Sequence, residues 1–290
     1  MFDIVIRVLN ALLMIAIPLV LGVYLSKKQG TGWHLFGIGA VTFIASQVLH
    51  IPFNAWVLNP LLETLGLSFT GTTVQLIVLA LLFGLSAGVF EETSRYVVYR
   101  FWLKSPSDRT WRSALMFGAG HGGIESIILG VLALVAFIQL LVYRNADLSA
   151  IVPADQLELA MSQVETYWSL PWYAALLGAV ERAAAISFHL SATVLVLQVF
   201  RRRNILWLFF AIGLHTLLDA VAVFGMQTWG MYITEALIVG LAILSLGIIF
   251  LLRQPTELSD ILPPEETQSP FSEIQSQEPT IENLEDSRYV

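Results

Sequence analysis

Seven apolar stretches separated by short polar breaks dominate the chain, running near residues 3–26, 33–53, 72–103, 111–143, 172–200, 204–224 and 230–252. A helix needs about 20 residues, at about 1.5 Å each, to cross about 30 Å of hydrocarbon, and every stretch meets that length. The pattern predicts an all-α, polytopic membrane protein with seven transmembrane helices. The third and fourth stretches are long enough to tilt or to project from the bilayer. The first is longer than a signal-peptide core and its positive charges, Lys27 and Lys28, follow it, so it reads as a retained span. The acidic loop around Pro153 to Tyr167 predicts a short surface helix. No internal repeat is evident, which argues against an inverted-repeat transporter.

Charge adds an orientation. Lys27 and Lys28, then Arg100, Lys104, Arg109 and Arg112, then Arg201 to Arg203, then Arg253, all fall at the same ends of the spans, whereas residues 54–71, 145–170 and 225–229 contain no Lys or Arg. The positive-inside rule therefore places the N-terminus outside and the C-terminus in the cytoplasm of a multi-pass cell-membrane protein. Two of the 15 basic and nine of the 22 acidic residues lie in 253–290, so residues 1–252 are formally neutral. That last segment also holds five of the eleven prolines and reads as a disordered cytoplasmic tail. The expected domains are thus a transmembrane body, 1–252, and a tail, 253–290.

Composition narrows the chemistry. The chain is 56% hydrophobic and 13% charged, with mean hydropathy +0.73. The lipid bilayer is its expected surrounding and nucleic acid is not an expected partner. It has no cysteine, which excludes disulfides, thiolate catalysis and Cys-ligated zinc. A metal would have to be held by histidines and carboxylates.

Those residue types converge. Glu91 is nine residues before Arg100, His121 nine after Arg112, His189 twelve before Arg201 and His215 twelve after Arg203. Helical rise then puts all four about 13 to 18 Å from the basic ends of four different spans. Spacings of three and four place Glu92 and Glu91 beside Arg95, Glu125 beside His121 and Asp219 beside His215. Arg182, with Glu181 next to it, lies two turns from His189. An isolated charge at this depth costs about 3 kcal/mol on insertion scales, so ten such groups must pair, share protons, bind metal or line a wet cavity. A structural role, as glue between helices, remains open for Glu181 with Arg182 and for Arg95. The glycines of FGAGHGG, 117–123, read as sites of close helix packing that also give room beside His121. His34, His50, Glu63 and Glu235 are expected to have no chemical role.

Carboxylates beside histidines in a partly dry pocket suit activation of water by a general base, with a second group stabilising an oxyanion, and amide hydrolysis is the natural reaction. Ser94 and Ser126 lack a nucleophile-elbow setting, and HExxH is absent. His121, His189 and His215, from three spans, can still hold zinc with an open water position. A second class uses the same residues: a proton- or cation-coupled transporter or channel. Such a protein needs access from both sides, whereas this set lies within reach of the basic face and the outer halves of the same spans are almost wholly apolar.

EETSR at 91–95, GHGGIES at 120–126, ERAAAISFH at 181–189 and HTLLD at 215–219 resemble, as an ordered set over residues 72–225, the YhfC family of bacterial intramembrane peptidases. The set is more distantly similar to the PrsW proteases and to the CAAX-processing, bacteriocin-immunity-type membrane proteases. The resemblance implies an intramembrane endopeptidase of glutamate or metallo type, with zinc or no cofactor. Its expected substrate is a membrane-embedded or membrane-adjacent protein or lipopeptide, cut near the cytoplasmic leaflet. It implies Glu91 or Glu92 as general base and Glu125 as a second acid or base, with His189 and His215 binding the oxyanion or a metal. His121 departs from the PrsW-like pattern. A catalytically silent immunity or receptor relative is a further reading.

Overall fold

The computed structural model describes residues 2–253; the segment expected to be a disordered tail lies, from residue 254 on, outside the described residues. The described residues are helical, with no strand among them. The helices are α1 Phe2–Gln29, α2 Trp33–Phe53, α3 Asn59–Thr64, α4 Thr73–Phe101, α5 Trp111–Arg144, α6 Leu157–Ser169, α7 Leu177–Arg201, α8 Leu206–Thr228 and α9 Met231–Leu251. Seven segments are long and apolar enough to cross a membrane, and they coincide with the seven apolar stretches. This is a multi-pass membrane protein.

Local chemistry sets the boundaries. The Thr72 hydroxyl accepts from the Gln75 amide while the Gln75 side chain accepts from the Thr72 amide, a capping box that starts α4. Thr110 caps α5 through Ser113. The segment read as a loop from residue 54 instead continues the second span through a wide turn, Asn54–Leu58, into α3. Pro60 stands in the first turn of α3, where its missing N–H leaves no helical bond unmade. Leu58 and Leu62 bury against Leu79 of α4, and that burial holds the extra turns in place. The acidic outer segment forms a short helix, α6, as its sequence suggests.

Arg7 and Arg144 lie at the ends of their spans opposite the basic clusters, and α6 takes up both. Arg7 of α1 lies over the Tyr167 ring at 4.2 Å and donates to the Tyr167 carbonyl at 2.8 Å. Arg144, at the end of α5, lies over Trp168 at 4.3 Å. A cation over an aromatic face contributes about 0.5–2 kcal/mol. Arg7→Met is therefore expected to speed chymotryptic cutting at Tyr167 and Trp168 in folded protein by about tenfold; an unchanged rate would mean that α6 is held by other contacts.

The bundle is organised around α5 and α7. Helix α5 packs on α1, α2 and α7; α4 pairs with α8; α9 leans on α7. Helix α7 is the most enclosed of the spans. Glycines permit the closest crossings: a Cβ on Gly120 would stand 2.0 Å from the Phe36 carbonyl oxygen, and one on Gly39 would stand 2.1 Å from that of Phe117. Gly84 and Gly88 play the same part where α4 meets the backbone of α8. Towards the basic ends of the spans the interior is a dry core in which Tyr99, Met116, Phe117, Val194 and Leu197 are fully enclosed.

Candidate functional site

Helix pairing brings the ionisable groups of four spans together. On α4, Glu91 and Glu92 point into the bundle because Gly84 and Gly88 let α8 approach, and both are buried together with Arg95. The Arg95 guanidinium binds Glu92 through one amino group and donates through the other to His189 Nδ1 at 2.7 Å. An arginine only donates, so His189 Nδ1 offers its lone pair and the ring hydrogen sits on Nε2. That hydrogen is directed at Glu125 Oε2, 2.6 Å away. Arg182 in turn holds Glu125 Oε1 at 2.7 Å and also binds Glu181. His121 Nε2 stands 3.1 Å from Glu91 Oε2. On α8, His215 meets Glu92 Oε1 through Nδ1 at 2.8 Å and places Nε2 3.6 Å from Asp219 Oδ2. The structure thus draws all ten sequence-derived candidates into one linked network.

One member escaped the sequence reading. Gln47 of α2 donates through Nε2 to Glu91 Oε1 at 3.0 Å and completes the carboxylate's set of partners. Its signal was there to be used: an amide in the middle of an apolar span needs a partner as surely as a charge does. Among the residues expected to lack a role, His50 joins Asn54, which accepts from Ser86, in a small link between α2 and α4. Glu235 is buried on α9 within electrostatic reach of Glu181 and Arg182.

A cavity of about 110 Å³ opens beside this network, lined by Glu91, Glu125, His189, His215 and Asp219 and, at its far end, by Glu181. Its position corrects one expectation. The set was expected to lie within reach of the basic face, but Asp219 is sixteen residues beyond Arg203 and Glu181 twenty before Arg201, about 24 and 30 Å up their helices. Counting from the nearest cluster had located the four innermost groups and left the direction of the opening undetermined. The cavity rises from mid-span into the half of the bundle away from the basic clusters, and the dry core closes the other side.

A family described as YhfC intramembrane metalloprotease matches residues 13–243. The chain belongs to this family. A Bacillus subtilis (strain 168) relative, described as an uncharacterized membrane protein YhfC, is 33% identical over 214 residues, covering 71% of this chain and 79% of the relative. No solved structure matches the chain significantly.

The YhfC family name implies a metal, and the donor set in this chain fits one. Glu91, His121 and His189 each present a buried ligand atom, all within 4.8 Å of one another. Ligands on a zinc ion at about 2.0–2.1 Å stand about 3.3 Å apart, so the 3.1 and 4.0 Å separations of Glu91 Oε2 from His121 Nε2 and His189 Nδ1 need only small adjustments. Buried atoms without a protein partner cluster here as well: Glu92 Oε2, Arg95 Nε and His121 Nδ1. One adjustment is larger, because Arg95 Nη2 must leave His189 Nδ1 before a metal can take that lone pair. The gathered set differs from three histidines: His215 is turned to Glu92 and Asp219, and Glu91 stands in its place. Glu125, by fixing the His189 ring from its far nitrogen, occupies the position of a carboxylate that orients a metal-binding histidine. Glu125→Gln is expected to weaken zinc binding by about ten- to a hundredfold in a chelator competition, with helix content unchanged; equal affinity would remove Glu125 from that role.

Proposed function

We propose that this chain is an intramembrane metalloprotease that hydrolyses a peptide bond of a membrane-embedded or membrane-adjacent protein or lipopeptide. In this reading it sits in the cell membrane with its N-terminus outside and its C-terminus in the cytoplasm. The observation that carries the reading is the meeting of Glu91, His121 and His189, from three spans, at the inner end of a polar cavity. A zinc ion held by these residues with an open position would supply a water acidic enough to attack at neutral pH. The remaining roles follow from contacts. Gln47 holds the free oxygen of Glu91 so that the other faces the histidines. Glu125 fixes His189 and is itself fixed by Arg182. His215, anchored at Nδ1 by Glu92, presents Nε2 to the cavity beside Asp219, where it can hold a proton for an oxyanion or a leaving amine.

Arg95 favours a second reading, of glutamate type, in which its guanidinium is the resident cation and Glu91 alone is the base. Full activity of protein stripped of metal would decide for it. The test of proteolysis itself compares protein N-termini in membranes expressing the wild type or a Glu91→Gln, Glu92→Gln double variant. New N-termini within or beside transmembrane segments, seen only with the wild type, are expected. Identical sets at matched expression would overturn the proposal.

A further inference from the structure

The network is not equally enclosed on all sides. Side-chain exposure rises along it, from 7% at Glu91 through 23% at Glu125 to 34% at Asp219 and 37% at Glu181. These four acids stand at increasing distance from the basic ends, about 13, 20, 24 and 30 Å by helical rise. A carboxylate one-third exposed at such a depth cannot face hydrocarbon without a penalty of several kcal/mol, so the space in front of Asp219 and Glu181 holds water. The water has one short way out. Below the site, Tyr99 meets Phe117 edge to face at 5.3 Å and packs on Phe200 at 5.7 Å, and Val194 and Leu197 are fully enclosed around them. Above it, the small Ala185 and Ala222 line the cavity between α7, α8 and α9 together with Leu218 and Ile238. Glu235 of α9 and the pair Glu181 and Arg182 continue the polar trail towards the end of the bundle where α6 lies.

From this we infer that the site takes its water and its substrate from the aqueous face opposite the basic clusters, through a funnel between α7, α8 and α9. It therefore acts on peptide bonds in, or just beyond, that half of the bilayer. The part concerning peptide bonds rests on the proteolytic reading; the access route does not. With the basic clusters cytoplasmic, the substrates are the outer ends of membrane-spanning segments and the chain that emerges from them, and cytoplasmic segments are excluded.

The absence of cysteine makes the test direct. Single substitutions Ala222→Cys and Ala185→Cys report on the funnel and Val194→Cys on the dry core. Ser68→Cys and Ser105→Cys mark the two aqueous faces, since both residues are exposed in loops at opposite ends of α4. Each variant is treated, in sealed vesicles of either orientation, with a charged membrane-impermeant methanethiosulfonate, and labelling after denaturation confirms that the thiol is present. Ala222→Cys is expected to react from the side that labels Ser68→Cys at least ten times faster than from the side that labels Ser105→Cys. Ala185→Cys should follow it more slowly, and Val194→Cys should react from neither side. Reaction of Ala222→Cys from the Ser105 side, or from neither, would overturn the access route. The N-terminal comparison reads proteolysis separately: cleavage together with labelling from the wrong side sinks only the route, whereas correct labelling without cleavage sinks only the proteolytic reading.

Discussion

Glu91→Gln is expected to lower proteolytic turnover by at least about 10³-fold while leaving the protein folded, because one carboxylate serves both the donor set and the cavity. Its Oε2 faces His121 and His189, its Oε1 is held by Gln47, and its side chain lines the wet space where a peptide would lie. Glutamine keeps the volume and can keep two of the contacts, since its carbonyl can accept from His121 while its amide turns to the Gln47 carbonyl. What it cannot keep is the negative charge, and with it would go, on the proposed reading, the third donor to a metal and the acceptor for a water proton. Purified wild type and variant, compared on a substrate found through new N-termini, give the ratio, and zinc titration gives the affinity, expected to fall by more than tenfold. A variant within tenfold of the wild type in turnover would show that Glu91 is neither ligand nor base. Glu92 is buried deeper and already engaged by Arg95 and His215, so its replacement should disturb the placing of His215 more than the attacking water.

Gly120→Val is expected to abolish stable folding rather than to slow the reaction. The added Cβ would meet the carbonyl oxygen, carbon and Cα of Phe36 at 2.0 to 2.7 Å, and backbone atoms inside a helix cannot step aside as a side-chain end can. Relief requires α5 to move away from α2. That movement also opens the neighbouring contact at Gly39 and carries His121 away from Gln47 and Glu91. The expected loss is more than about 3 kcal/mol, seen as failure to purify or as a fall of more than about 10 °C in the melting temperature in detergent. Gly37→Val is the matched control: it lies on α2, the helix that Gly120 packs against, with nothing within 4 Å of its Cβ, and it should leave the melting temperature nearly unchanged. Equal effects at the two positions would refute the packing argument.

Hydropathy and charge patterning made the seven spans legible, because a bilayer forces length and apolarity on any helix that crosses it. The four motif-bearing helices and the meeting of Glu91, His121, His189 and His215 at one depth were legible too, through the fixed helical rise. Rise gives height and says nothing about which way a side chain turns, and the differences arise there. His215 and Glu91 sit at similar heights, yet only Glu91 turns towards both His121 and His189. The continuation of the second span into α3 was hidden because Pro60 and Asn54 look like loop punctuation, while the burial that decides the matter, Leu58 and Leu62 against Leu79, is a tertiary contact. Gln47 carries no charge to mark it, although a lone amide in hydrocarbon needs a partner by the same rule.

The dry core beneath the site has an electrical meaning. If the site opens as inferred, the transmembrane voltage falls across the remaining apolar layer, where Tyr99, Phe117, Val194 and Leu197 are fully enclosed. Protons released at Glu91 or His215 can then exchange only with the compartment above. On the proposed reading the cell would keep an insulating membrane around a hydrolytic centre sunk halfway through it, and the acidity sensed by that centre would be that of one side alone.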